Sequence, residues 1–180
     1  MPDVPGAQFI MPHPSRIQWA GASWRLRVYE AGQGDGSVVE KGFVEHPGAV
    51  VLVPQTGAGE VLMLRQFRAA LRETILELPA GTRGWQESWL DCAQRELREE
   101  TGYRAQTFVE LGEVWPAPGY SDEVMRFYWA RDLSHDPLTA DADEQIELQP
   151  MALDSLVEMA LDGRLRDAKS IVGILRLAAR

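Results

Sequence analysis

Seven residues fall at fixed intervals within the stretch GTRGWQESWLDCAQRELREETGY, residues 81–103. Gly81 is followed by Glu87, then Arg95-Glu96, Glu99-Glu100 and Gly102. The segment 88–101 predicts a helix. Ser88 stands three residues before Asp91, a capping pattern with Asp in place of the usual Glu. Leu90, Ala93 and Leu97 supply an apolar stripe, and Gly102 a stop. On such a helix Glu96 lies three residues from Glu99 and four from Glu100, so three carboxylates share one face. Like charges at this spacing destabilise an isolated helix by about 0.2–0.5 kcal/mol per pair. Hard divalent cations with oxygen ligands offset that repulsion, and Mg²⁺ in particular keeps waters and takes phosphate oxygens as further ligands. A cation held there would polarise a phosphoryl group and acidify a bound water. The bland alternative is a solvated acidic face relieved by Arg95 and Arg98.

Charge bears on the same question. The net charge of -9 argues against a nucleic-acid partner. It also means that a polyanionic phosphate substrate would need bound cations to invert the local field. A chain of 180 residues, 45% apolar and 25% charged, predicts one folded domain. The single cysteine, Cys92, precludes an intrachain disulfide and fits a cytoplasmic setting; with no His/Asp pattern nearby, it reads as a buried structural thiol. The opening residues lack the basic and apolar regions of a signal peptide. No stretch approaches the roughly 20 apolar residues of a membrane span.

Along the chain, residues 1–16 read as a proline-rich arm and 17–30 as a hairpin, with a turn at 31–37. Buried strands are predicted at 49–54 and 61–66, joined by a turn at 57–60. Further strands are expected at 106–114, 124–130 and 146–151, and helices at 153–161 and 167–179. Residues 135–145 read as a polar, acidic loop. His13, His46 and His135 are scattered and make no metal-binding spacing.

Every fixed position of the Nudix box, G-x(5)-E-x(7)-R-E-U-x-E-E-x-G-U with U bulky and apolar, is matched, Tyr103 taking the last place. The chain therefore resembles the Nudix hydrolases, and the flanking Gly81, Glu87, Arg95 and Gly102 weigh against the bland reading of the acidic helix. The resemblance implies an α+β fold, a mixed β-sheet sandwiched between α-helices, over residues 41–180, with residues 1–40 an arm and hairpin that form a dimer. It implies that the Ala80 carbonyl, Glu96 and Glu100, with Glu99 assisting, hold two or three Mg²⁺ ions, for which Mn²⁺ can substitute. Gly81, Glu87, Arg95 and Gly102 would be supporting residues.

Three further strings resemble the ADP-ribose pyrophosphatase branch. Pro118 lies fifteen residues after Tyr103 within PAPGYSDE; LRQFR precedes ETILELPAG; and GRLRDAKSIVGIL lies near the C-terminus. The branch implies cleavage of ADP-ribose to AMP and ribose 5-phosphate, with GDP-mannose or ADP-glucose as alternative nucleoside diphosphate sugars. Arg68 would contact substrate phosphates or the terminal ribose, a job suited to a forked, permanently charged guanidinium. Arg65, three residues away on a strand, points elsewhere. Thr82 and Pro118 would lie against substrate. Glu144 of the acidic loop would activate water, with Glu147 the runner-up, weakened because Ile146 and Leu148 place it on an outer strand face. Trp19 or Trp24 would stack on adenine across a homodimer, although tryptophans there are more often core or interface. A non-catalytic ligand sensor is the reading from another class, and the four intact box glutamates argue against it.

Overall fold

A computed structural model describes residues 15–139 and 146–180. The chain divides into two compact units. The smaller comprises the described residues up to His46 together with Ala117–Asp122. The larger comprises Pro47–Pro116 and Glu123–Arg180.

In the smaller unit, β1 (Arg16–Ala20), β2 (Arg25–Gly32) and β3 (Val38–Glu45) form an antiparallel meander. The expected hairpin is present, turned by a Gly21 N–H to Trp24 carbonyl bond of 3.0 Å. A third strand extends it. β3 was not legible because VVEKGFVE mixes charge and glycine into an exposed strand without clean alternation. Residues 117–122 dock on β3 through the Val44 N–H to Tyr120 O bond (2.8 Å) and the Asp122 N–H to Val44 O bond (3.2 Å).

The larger unit is built around β4 (Ala49–Pro54), whose six residues are all buried. A continuous apolar run suits a strand covered on both faces. β4 pairs with β7 (Ala80–Thr82) on one side and, in parallel, with β9 (Met125–His135) on the other. The antiparallel β8 (Tyr103–Val114) completes the mixed sheet in the order β7-β4-β9-β8. Successive β4 side chains alternate between faces. Val50 and Leu52 pack with Cys92, Ala93 and Leu97 of α1 (Trp89–Thr101). Val51 and Val53 pack with Leu156 of α2 (Leu153–Asp162) and with Ile174 and Leu177 of α3 (Ala168–Ala178). The mixed sheet thus lies between helices, the α+β sandwich expected from the sequence.

A second, antiparallel sheet has the order β10-β5-β6, from β5 (Glu60–Arg68), β6 (Glu73–Glu77) and β10 (Ile146–Ala152). β4 and β5 are joined by the expected turn, closed by Thr56 N–H to Glu60 O at 2.9 Å. They nevertheless enter different sheets, because β7 and β9 occupy both edges of β4; a single bridge, Gln55 to Val61, links them. One detail of α1 also differs. Leu90 is 52% exposed, and Cys92 takes its place in the buried stripe with Ala93 and Leu97. Among the described residues no helix is long and apolar enough to cross a membrane.

Candidate active site

Helix α1 is fixed at both ends. Ser88 caps it, its Oγ accepting from the Asp91 N–H at 3.1 Å and donating to Asp91 Oδ2 at 2.7 Å. At the other end Gly102 adopts φ 75° and donates its N–H to the Arg98 carbonyl. An L side chain in that left-handed conformation costs roughly 1–2 kcal/mol, so glycine suits the position. The rigid helix carries Glu96, Glu99 and Glu100 on a common face.

Arg95 ties the acidic cluster together. Its Nε and Nη2 fork onto Glu87 at 2.8 and 3.0 Å. Its Nη1 donates to Glu96 Oε1 at 2.6 Å and to Glu99 Oε2 at 2.9 Å, and its Nη2 reaches the Thr82 carbonyl at 3.3 Å. Glu87 also accepts from the Gly84 N–H at 2.8 Å. The Arg95 hydrogen bonds, aided by Gly84, push the Glu87 carboxyl down to about 2. Glu87 in return raises the Arg95 guanidinium. Glu100 is held separately, accepting from the Ala80 N–H at 2.9 Å.

The 80–82 backbone lies directly on this face. A Cβ at Gly81 would stand 1.8 Å from Glu96 Cδ, so only glycine leaves Glu96 in place. The donor set is three carboxylates beside a backbone strand, which fits a hard divalent cation in kind. Among the described residues no three His, Cys, Asp or Glu side chains are gathered tightly enough to hold a metal ion. Glu96 and Glu99 converge instead on Arg95 Nη1, and Glu100 on the Ala80 amide.

Beside the acidic helix lies a cavity of about 480 Å³, within the ordinary range for a small-molecule site. Ala80, Gly81 and Thr82 form one wall. Leu71, Ile75 and Met125 give an apolar stretch, and Arg68, Glu77, Asp167 and Lys169 a charged one. Arg68 grips Glu77 side-on, Nε to Oε1 and Nη2 to Oε2, both at 2.8 Å. Burial alone would lower the Arg68 guanidinium, but the bonds and charge of Glu77 leave it raised. Glu77 is fully buried and also accepts from Lys169 Nζ, which donates to Asp167 Oδ2 at 2.9 Å. Glu77, Glu123, Asp167 and Lys169 were not singled out from the sequence. Glu77 and Lys169 are 92 residues apart, so no local spacing links them; the strings ELPAG and RDAKS are the only trace.

Trp19 and Trp24 pack on each other in the β1–β2 hairpin, ring centroids 4.5 Å apart, both partly exposed. Pro118 sits in an exposed turn, where the Tyr120 and Ser121 N–H groups donate to the Ala117 carbonyl. Arg65 is exposed opposite Glu147 in the β5–β10 register, and neither lines the cavity. Glu144 lies outside the described residues. Cys92 is buried, and burial, reinforced by the Glu87 and Glu96 charges, pushes its thiol up, so it supplies no nucleophile.

The family model for the NUDIX domain matches residues 44–172. An ADP-ribose pyrophosphatase of Bacillus subtilis (strain 168) is 33% identical over 142 residues, which cover 78% of this chain and 77% of that protein. A GDP-mannose pyrophosphatase of Yersinia enterocolitica is 31% identical over 134 residues, covering 69% of this chain and 70% of that one. Among solved structures, an ADP compounds hydrolase superposes with a TM-score of 0.77 at 19% identity, covering 92% of this chain and 90% of its own, a likeness of fold.

Proposed function

From the premise that this chain belongs to the Nudix family and is a Nudix pyrophosphohydrolase, we propose that it hydrolyses ADP-ribose to AMP and ribose 5-phosphate with Mg²⁺. The observation that carries the reading is the cavity. Its Ala80–Thr82 wall rests on the acidic helix, and Arg68 stands on another wall. A diphosphate seated there would meet the Arg68 guanidinium and the Ala80–Thr82 backbone, which itself contacts Glu96 and Glu100.

Glu96, Glu99 and Glu100, with the Ala80 carbonyl, would hold the cations, two or three Mg²⁺ with Mn²⁺ able to substitute. When bound, such ions neutralise the diphosphate and supply a water of lowered pKa. The chain's own residues do the rest. Arg95 keeps the carboxylate face oriented through Glu87, Glu96 and Glu99. Gly81 lets the 80–82 backbone approach that face. Arg68 and Thr82 bind substrate oxygens from the cavity walls, and Leu71, Ile75 and Met125 give an apolar surface for the rest of the substrate. Glu144 or a box glutamate would accept the proton of the attacking water. Trp19 or Trp24 stacks on adenine in a homodimer, with the Pro118 turn against the substrate.

The preference for ADP-ribose over GDP-mannose rests on the higher identity and wider coverage of the first relative. A panel of nucleoside diphosphate sugars, assayed with Mg²⁺ and again with EDTA, tests it. AMP released fastest from ADP-ribose, and only with Mg²⁺, is the expected result. Faster turnover of GDP-mannose would transfer the assignment to that sugar nucleotide, and full activity in EDTA would remove the cation from the mechanism.

A further inference from the structure

Four ionised side chains from three elements meet on one wall of the cavity: Arg68 ending β5, Glu77 ending β6, and Asp167 and Lys169 at the start of α3. Glu77 is 0% exposed, the Lys169 side chain 10% and the Arg68 side chain 39%. Asp167 is fixed in turn, accepting from the Ser170 N–H at 3.1 Å and from Ser170 Oγ at 2.5 Å. Ser170 Oγ accepts from the Leu78 N–H at 2.7 Å, two residues before the Ala80–Thr82 wall. The two acids and two bases cancel, so the wall carries no standing net charge. A buried carboxylate in an otherwise apolar core is a poor choice for stability alone, since apolar residues of similar volume commonly do as well or better.

The donor count says what the group can do. A guanidinium has five N–H donors and an ammonium three. Arg68 spends two on Glu77, and Lys169 spends one on Glu77 and one on Asp167. Arg68 Nη1 has no protein partner among the described residues, and Lys169 keeps one N–H. These spare donors belong to residues that line the cavity.

We infer that Lys169 is a second substrate-contacting cation beside Arg68, both binding phosphate oxygens of the diphosphate, and that Glu77 is the positioning residue that holds the pair. The inference rests on the proposed function, because the ligand is the same nucleoside diphosphate. The group then complements the acidic helix: Glu96, Glu99 and Glu100 would hold the cations that bind phosphate, while Arg68 and Lys169 offer N–H donors already locked in direction by Glu77 and Asp167. Preset donors lose little freedom on binding, which favours affinity over turnover.

Kinetics on the full-length protein with ADP-ribose and Mg²⁺ test this. Lys169→Met is expected to raise KM by about tenfold with kcat within about threefold, the loss of one charged hydrogen bond to bound substrate. Lys169→Arg should restore most of that loss. Glu77→Gln should raise KM comparably, and the double variant by less than the product of the two, since both act through one contact. Mn²⁺ affinity, read by electron paramagnetic resonance, should match wild type in every variant. An unchanged KM in Lys169→Met would reduce Lys169 to a structural role, and lost Mn²⁺ binding in Glu77→Gln would make Glu77 a metal ligand; either overturns the inference. If wild type cleaves no nucleoside diphosphate sugar, the proposed function fails on its own. Calorimetric titration of wild type and Lys169→Met with magnesium pyrophosphate then decides the inference: about tenfold weaker binding supports it, and equal binding overturns it.

Discussion

Arg95 donates to Glu87, Glu96 and Glu99, while Glu100 answers to the Ala80 amide, so the acidic residues have separable roles. Glu96 and Glu100 are the proposed cation ligands, and a neutral amide cannot replace a carboxylate against a hard ion. Glu96→Gln or Glu100→Gln is expected to lower turnover on the order of 10²-fold or more while circular dichroism stays that of the folded protein. Near-normal hydrolysis by both variants would exclude them as ligands. Glu87 instead acts on stability. Its carboxyl lies at about 2, against an ordinary 4.5, because of the Arg95 hydrogen bonds. The folded state therefore favours ionised Glu87, and the unfolded chain takes up the proton first as pH falls. The contribution is complete above about 4.5 and fades as pH drops toward 2. Urea denaturation at stepped pH should show wild type more stable than Glu87→Gln near neutrality, with the gap narrowing across that window. A gap that stays constant on acidification would mean that the Glu87–Arg95 pair does not set it.

At the level of elements, two glycines of the same motif should fail in opposite ways. Gly81 lies in β7 against the end of a flexible side chain, and a Cβ there displaces Glu96 rather than backbone. Gly81→Ala should leave the thermal midpoint near that of wild type while activity falls on the order of 10²-fold, the scale of an ångström-sized misplacement at a reacting centre. Gly102 has φ 75°, so Gly102→Ala should cost about 1–2 kcal/mol in urea denaturation. A large stability loss for the first, or none for the second, would contradict the geometry. The same elements show what could be read beforehand. β4 was legible because AVVLVP is apolar throughout, and α1 because cap, carboxylates and stop glycine lie within one local stretch. β6 and β7 were not recognised as strands: ETILE carries charge at both ends and AGT is three residues long, so neither shows a period. The split into two sheets was hidden because pairing depends on which edges other strands already occupy, a non-local matter. The Arg68–Glu77–Lys169–Asp167 group escaped notice for the same reason, its members being assembled from β5, β6 and α3 by tertiary folding.

For the whole molecule, charge sets a condition on binding. The chain carries -9, and the proposed substrate presents an anionic diphosphate. Arg95 is committed to the acidic helix and leaves that face negative, while the Arg68–Glu77–Lys169–Asp167 group of the cavity is neutral in sum, offering hydrogen-bond donors without excess positive charge. Salt screens charges farther apart than about 10 Å at 0.1 M, so distant acids matter little, but Glu96 and Glu100 lie directly against the Ala80–Gly81 backbone that lines the cavity. The diphosphate therefore meets net repulsion there unless divalent cations intervene, and cations should govern affinity as well as chemistry. A methylene-bridged analogue of ADP-ribose, which cannot be cleaved, separates the two by calorimetry. Binding is expected to be at least about tenfold tighter with Mg²⁺ than with EDTA, the scale on which one partly desolvated charge contact counts. Equal affinity under both conditions would mean that the donors of Arg68 and Lys169 suffice to hold the diphosphate, and that the acidic helix serves catalysis alone.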